Sequence, residues 1–495
     1  MEALINFLNG LLWGQLLVPL LLGVGLLFTV RLKLLQLRKF SHMFGVLAHS
    51  RQEDINGISP FQALCTSLAS RVGTGNLAGV AVAIYLGGAG AVFWMWMTAL
   101  LGMATGYAES CLAQLYKVKD DSGTYRGGPA YYIERGLGQR WLGMLFALLL
   151  ILSFGFVFNA VQANSIASAM ETAFGFDTQW TGVVIALLAG LVIFGGVRSI
   201  ARVAEMVVPL MALIYLLIAL AILVMNIDQV PAVFGNIIDS AFGLNQAAGG
   251  IAGGLMAAMM NGVKRGLFSN EAGMGSAPNA AATASPTPHH PASQGFMQAL
   301  GVFIDTVVIC SCTAFIILVS GVFEPGNGVS GVELTQLALD QTLGGVGKYL
   351  VAIAILFFAF TSIIGNYMYA ENNVVYLLRD RPTRLVLNLV RSAVLAMVLW
   401  GAMEKVGVVW DAADASMGLM ALVNLVALLL LSGVVVKLTR DYEAQQSQGL
   451  VPHFDLRRVP LPGRVDRSIW GHPAPSVPYN GVVAGQAKQA DKVGA

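Results

Sequence analysis

One long apolar segment, residues 61–87, is interrupted by ASRVGTGNLAG at 69–79. As one α-helix it would run about 40 Å, against about 30 Å of bilayer hydrocarbon. A segment of that length must tilt or contain a non-helical piece. Two glycines flanking Thr74 favour the second, because each glycine costs about 1 kcal/mol against alanine inside a helix. Unwound backbone at membrane depth survives only where protein or a water-filled cavity covers it. Its freed N–H and C=O groups are then equipment for holding a ligand.

Composition supplies the membrane. The chain has 495 residues, 56% hydrophobic and only 11% charged, where soluble domains carry about 25% charge. The expected fold is an all-α polytopic membrane protein. The net charge of +2 gives no reason to expect a nucleic-acid partner. Cys65, Cys111, Cys310 and Cys312 sit in apolar segments without metal-ligand neighbours and read as packing residues. The six histidines fall in loops or the tail and read as solvated surface groups.

Eleven candidate spans follow, at about 12–30, 61–87, 91–116, 141–173, 179–197, 203–226, 248–275, 296–322, 347–378, 385–402 and 412–436. Basic residues concentrate in alternate loops: Arg31 to Arg51, Lys117 to Arg140, Arg198 and Arg202, Arg379 to Arg384, Lys437 and Arg440. The positive-inside rule then puts the N-terminus outside and the C-terminus in the cytoplasm. Residues 227–247 and 330–344 read as short helices on the outer side. Residues 441–495 read as a soluble, largely disordered tail.

A second interruption, NGVKRGLFSNEAGMGS at 261–276, places Lys264, Arg265, Asn270 and Glu271 among glycines in the seventh span. A charge at the bilayer centre costs about 2.5–3.5 kcal/mol on insertion scales, so such residues serve a site and not a lipid face. With the first span set aside, the broken helices are the first and sixth of ten. Interrupted spans at matching places in two oppositely oriented halves define an inverted repeat with its site at the midplane. The division is 1–58 for the extra helix and linker, 59–228 and 229–440 for the repeats, and 441–495 for the tail. Gly73, Gly75 and Ala78 mimic a dinucleotide fingerprint, but no soluble βαβ unit surrounds them. Neither a pore-filter repeat nor a metalloprotease or serine-hydrolase motif stands in the sequence, so a channel and an enzyme are the weaker classes.

GGAGAVFWMWMTALLG at 87–102 resembles the signature of the sodium:alanine (alanine or glycine:cation) symporter family. SPFQA at 59–63, SRVGTGN at 70–76, GTYRGGPAYYIERGLG at 123–138, FSNEAGMGSAP at 268–278 and GVFIDT at 301–306 resemble it in order. The resemblance implies a leucine-transporter-like fold, symport of a small neutral amino acid (alanine or glycine) with Na⁺, and a cytoplasmic-membrane protein sufficient as a monomer within its lipid; a glutamine-preferring or proton-coupled carrier of the same fold is the alternative. It implies peptide N–H groups of Thr74, Gly75 and Asn76 for the substrate carboxylate, consistent with the free donors of a helix N-terminus. Gln162 would be a further contact, with Phe268, Ser269, Asn270 and Gly273 capping the other end. For Na⁺ it implies the carbonyls of Ala69 and Val72 with the hydroxyls of Thr361 and Ser362. Those two hydroxyls also have a purely local use, bonding back to the preceding turn. Arg71 and Glu271 are expected as a charge or gating pair, and Asp305 as a structural or gating partner. Asn366 stands where many members of that family carry a tryptophan, and is the expected specificity position.

Overall fold

The computed structural model describes residues 2–51, 57–121, 123–243, 251–324, 328–379, 381 and 383–471. The regular elements among those residues are helices, apart from a two-residue strand pair, Val118–Lys119 with Tyr125–Arg126, and one isolated bridge. The helices used below are α1 (Leu17–Arg31), α2 (Pro60–Arg71), α3 (Val80–Gly87), α4 (Gly90–Leu115), α5 (Pro129–Leu137), α6 (Arg140–Leu150) and α7 (Phe158–Phe174). They continue with α8 (Ile251–Asn270), α9 (Pro278–Thr283), α10 (Pro291–Val302), α11 (Gly347–Leu377) and α12 (Val406–Ser447).

Eight helices among the described residues are long and apolar enough to cross a membrane. The other three spans of the sequence count coincide with the two interrupted helices and with Thr178–Ile193, which is apolar but short. The expected outer helices fall at Val230–Ala241 and Gly331–Leu343. Residues 244–247 lie outside the described residues.

Both interruptions are present and narrower than the sequence suggested. The first helix starts on a capping box, with Ser59 and Gln62 exchanging side-chain and backbone bonds and Pro60 at its first position. It runs through Arg71, and the chain leaves helical geometry at Val72 (ψ 82°). It rewinds through a wide π turn, Gly75–Gly79, into α3. The second helix persists to Asn270, so residues 261–270 are helical and only 271–277 are not. Lys264 and Arg265 are therefore helix residues rather than part of the break. The two broken helices meet at their ends: Ile58 N–H donates to Thr283 O (3.2 Å) and Ser285 N–H to Ile58 O (3.1 Å).

The helices pack as two groups. α4 packs most extensively on α8 and α10, and α7 on α11 and the Arg384–Met403 helix. α2 lies between the groups, touching α10 on one side and α11 on the other. Small residues permit this closeness: a Cβ on Gly262 would lie 2.4 Å from Ala91 O, and one on Gly401 2.4 Å from the Ala160 Cα.

The tail differs from expectation. Residues 441–447 complete α12, and 450–471 fold back as a strap over the end of the bundle that carries the basic loops. Trp470 and Phe454 are fully buried. Phe454 N–H donates to His289 O (3.0 Å), Arg464 N–H to Arg135 O (2.9 Å), and Tyr116 OH to Pro462 O (2.8 Å). Residues 472–495 lie outside the described residues. The histidines beneath the strap are not solvated as expected: His290 is fully buried, and the His289 ring packs 4.8 Å from Trp470. A few apolar residues in a polar tail suffice to pin it, because each buried aromatic removes a large area from water. All four cysteines are free and buried.

Candidate functional site

The two breaks face each other across a closed, polar centre. Thr74 N–H donates to Gln162 Oε1 of α7 (3.0 Å), and Gly73 N–H to the Asn76 side chain (3.0 Å). The Asn76 amide donates in turn to Asp305 Oδ1 (2.8 Å). Asp305 also accepts from Ser269 (2.6 Å) and Thr306 (2.7 Å), which ties the first break to the second. Asp305 lies in another π stretch, Phe303–Cys310, and Asn76 in the π turn Gly75–Gly79. Wide turns of this kind re-aim side chains at functional positions. Thr74 Oγ1 and Asn270 Nδ2 are buried polar atoms with no hydrogen-bond partner among the described residues.

Glycine is required at the first break by proximity. A Cβ on Gly73 would lie 2.2 Å from Ser362 Oγ and 2.8 Å from Gln162 Oε1. One on Gly75 would lie 3.1 Å from both the Phe268 ring and Ser269 Cα. Phe268 is sandwiched between Phe158 (4.7 Å between centroids) and Trp410 (4.8 Å), closing the centre on one side.

The expected cation oxygens partly converge. Ser362 Oγ donates to Ala69 O (2.9 Å) across the α2–α11 contact. Ser362 and Thr361 also both reach Phe358 O, at 3.0 and 2.9 Å, so the local back-bonding is real and adds a third carbonyl. Thr361 Oγ1 lies 3.9 Å from Met211 Sδ, with its hydroxyl toward the Gly196–Met225 helix. Val72, whose peptide begins the break, is fully buried. Asn366 lies one turn further along α11 and ties it to α7 and α2: its amide donates to Asn159 Oδ1 (3.0 Å), and it accepts from Ser70 Oγ (2.6 Å).

Arg71 and Glu271 do not form the expected pair. Glu271 sits in the left-handed region (φ 58°), and its carboxylate is taken by Ser70 (2.7 Å) and Ser276 (2.5 Å). Arg71 is buried against Gly301 and donates to Gln298 O (3.4 Å), with Nε and Nη2 unpartnered among the described residues. The cations of α8 are engaged elsewhere, since Lys264 and Arg265 share one carboxylate, both reaching Asp414 Oδ2 at 2.5 Å. Gly273 is also turned away from Thr74: its N–H donates to Glu109 (3.1 Å) and its C=O accepts from Asn424 (2.9 Å).

Sequence reasoning passed over Glu109, Asp414, Trp410 and Phe358. The first two had a usable signal, an acid inside an apolar span. Trp410 and the Phe358 carbonyl had none, because one looks like any interfacial aromatic and the other is backbone.

A solved structure shares the fold. A mutant of the Eremococcus coleocola manganese transporter superposes with a TM-score of 0.50 at 17% identity, covering 78% of this chain and 80% of that one. At that identity the likeness is one of fold alone. The profile of the sodium:alanine symporter family matches residues 1–456, and the chain belongs to that family. It is a multi-pass membrane carrier and not an enzyme. The probable sodium/glutamine symporter GlnT of Bacillus subtilis is 50% identical over 92% of this chain and 93% of its own. The sodium/alanine symporter AgcS of Methanococcus maripaludis is 41% identical over 89% and 97%. The putative sodium/proton-dependent alanine carrier YrbD of Bacillus subtilis is 44% identical over 93% and 96%.

Proposed function

We propose that this chain imports a small neutral amino acid, alanine or glycine, with Na⁺ across the cytoplasmic membrane by alternating access. The observation that carries the reading is the Thr74 N–H bound by the Gln162 carboxamide oxygen. A substrate carboxylate is a stronger acceptor than an amide oxygen and displaces it, freeing Gln162 to turn its oxygen to the substrate ammonium. Thr74 Oγ1, Gly75, Asn76, Ser269 and Asn270 line the same place, with Phe268 over it. The carbonyls of Ala69, Val72 and Phe358 with the hydroxyls of Thr361 and Ser362 form a neutral oxygen cage suited to Na⁺. One chain holds both ligands.

In this reading the N-terminus is outside and the basic loops and strap are cytoplasmic. The two repeats, 59–228 and 229–440, meet at the paired breaks. Lys264, Arg265 and Asp414, with the Phe158–Phe268–Trp410 stack, then form the outer closure. A potential of 100 mV supplies about 2.3 kcal/mol per charge. A tenfold Na⁺ gradient adds about 1.4 kcal/mol, so one ion sustains roughly a 500-fold gradient of neutral substrate.

Glutamine is the second reading. It is favoured by Asn366, a compact amide beside the site where a tryptophan would fill the space, and by the name of the 50%-identical relative. Labelled alanine uptake into proteoliposomes, competed by glycine, L-alanine, D-alanine, serine and glutamine with and without a Na⁺ gradient, separates the two. Uptake indifferent to Na⁺ would refute the coupling.

A further inference from the structure

Away from the central site, a cavity of about 380 Å³ opens at the end of the bundle that carries the basic loops. Lys119, Arg135, Arg140, Arg379 and Arg464 line it, from five separate segments of chain. Two acids also line it, and both are engaged. Glu134 takes Arg140 through both oxygens (3.0 Å each) and Tyr376 OH (2.6 Å). Asp466 caps the Arg467–Trp470 turn through Ser468 N–H (2.9 Å). Lys119, Arg135, Arg379 and Arg464 make no ion pair among the described residues. Four unneutralised cations around one cleft repel each other and concentrate a positive potential in it. Arginine forks match the oxygens of a phosphate in particular.

The surroundings say where that phosphate comes from. α6 leaves the cavity at Arg140 and turns Trp141 (62% exposed) and Leu148 (57%) outward. Past Arg379, the Arg384–Met403 helix turns Leu385 and Leu389 outward in the same way. A tryptophan beside an arginine at the end of an apolar helix marks the level of the lipid headgroups. Basic pockets between helices at that level suit anionic headgroups. We propose that this cavity binds the phosphodiester of an anionic phospholipid. Arg464 belongs to the strap, so a bound headgroup also pins residues 450–471 to α5 and α11. The transport reading above enters only in naming the leaflet, which the orientation proposed there makes the inner one.

The test uses the full chain in neutral detergent, without Na⁺ or amino acid, so a wrong substrate assignment leaves it untouched. Phosphatidylglycerol is expected to raise the thermal midpoint, and phosphatidylcholine is not. The variant carrying Arg135→Gln, Arg379→Gln and Arg464→Gln loses at least half of that shift. A control with Lys33→Gln and Arg202→Gln, exposed cations away from the cavity, keeps it. An equal shift with phosphatidylcholine, an equal shift with inorganic phosphate alone, or an undiminished shift in the triple variant overturns the proposal. If the triple variant does not fold, native mass spectrometry of Arg379→Gln decides. One fewer retained phosphatidylglycerol than the parent supports the site, and an unchanged number overturns it.

Discussion

Between α2 and α3 the chain leaves the helix for residues 72–73 and never enters the left-handed region. Between α8 and α9 it stays out for residues 271–277 and is left-handed at Glu271, Gly273 and Gly275. The glycines of the first break serve close approach, since Gly73 and Gly75 lie where a Cβ would strike Ser362, Gln162 or Phe268. Those of the second serve backbone freedom, with φ of 96° at Gly273 and 87° at Gly275, and Gly275 serves close approach as well, since its Cβ would lie 2.8 Å from Pro129 Cγ. The peptide groups differ likewise. At the first break they meet side chains that a ligand can replace, such as Gln162. At the second, Gly273 is bonded through N–H and C=O to Glu109 and Asn424 of flanking helices. The first break is built as a binding edge and the second as a fixed corner.

The harshest way to break this contrast is Gly73→Ala. Its Cβ would stand 2.2 Å from Ser362 Oγ, and overpacking costs about 1–3 kcal/mol even where neighbours yield. Substrate and Na⁺ half-saturation should both rise about 10–100-fold, because Gln162 and Ser362 are displaced together. Normal constants for both in uptake assays would remove proximity as the reason for glycine. Gly75→Val comes next and should act on one ligand only. It presses on Phe268 and Ser269, so substrate binding is lost while Na⁺-dependent stabilisation of the purified protein persists. Retained alanine affinity would refute the carboxylate edge.

Gly273→Ala should do the reverse. A left-handed alanine costs about 1–2 kcal/mol, and its Cβ would also crowd Leu21 and Leu425 at 3.2 Å. The thermal midpoint should fall while half-saturating Na⁺ concentration stays within about twofold, a shift below 0.5 kcal/mol. A selective loss of Na⁺ affinity instead would make the corner part of the binding edge. Ser362→Ala is milder. It removes the hydroxyl that meets Ala69 O, and a hydrogen-bonding group of this kind contributes about 1 kcal/mol, so half-saturating Na⁺ should rise about fivefold. Thr361→Ala should do less alone, since its hydroxyl also leans toward Met211. Equal or absent effects from the pair would dissolve the proposed cage.

How much of this was legible follows from range. Breaks announce themselves locally, because glycine with polar neighbours is out of place in an apolar helix, and each expected stretch overlaps an interruption. Their edges were set too wide, because charges such as Lys264 and Arg265 inside an apolar span read as part of the site until Asp414 is seen beside them. That partner is about 150 positions away, and no local pattern names it. Arg71 and Glu271 were paired on charge alone, whereas Ser70 and Ser276 lie nearer to the carboxylate and satisfy it. The strap was missed for a related reason. Phe454, Ile469 and Trp470 are too few and too scattered to show periodicity, and only the groove formed by Tyr116, Lys117 and His289 makes them a core.

The smallest effect tests how firmly the corner's far end is held. The loop after α9 carries His289 and His290 beneath the strap, and burial, with His453 and Lys117 nearby, pushes the His289 imidazole down to about 4. Burial lowers His290 as well, against the pull of Asp441. With the strap lifted, these rings return toward the ordinary value of about 6.5. The undocked state then binds more protons between those values, so docking strengthens as pH rises through that window. It is at full strength above about 6.5, weakens as pH falls toward 4, and levels off below. Hydrogen exchange over residues 450–471, corrected for the intrinsic rate, should therefore quicken on acidification to pH 5 while the α8–α9 corner stays protected. Protection of the strap unchanged from pH 7.5 to pH 5 would mean that the imidazoles do not hold it, and equal loosening of both regions would mean that the corner is no more fixed than the tail.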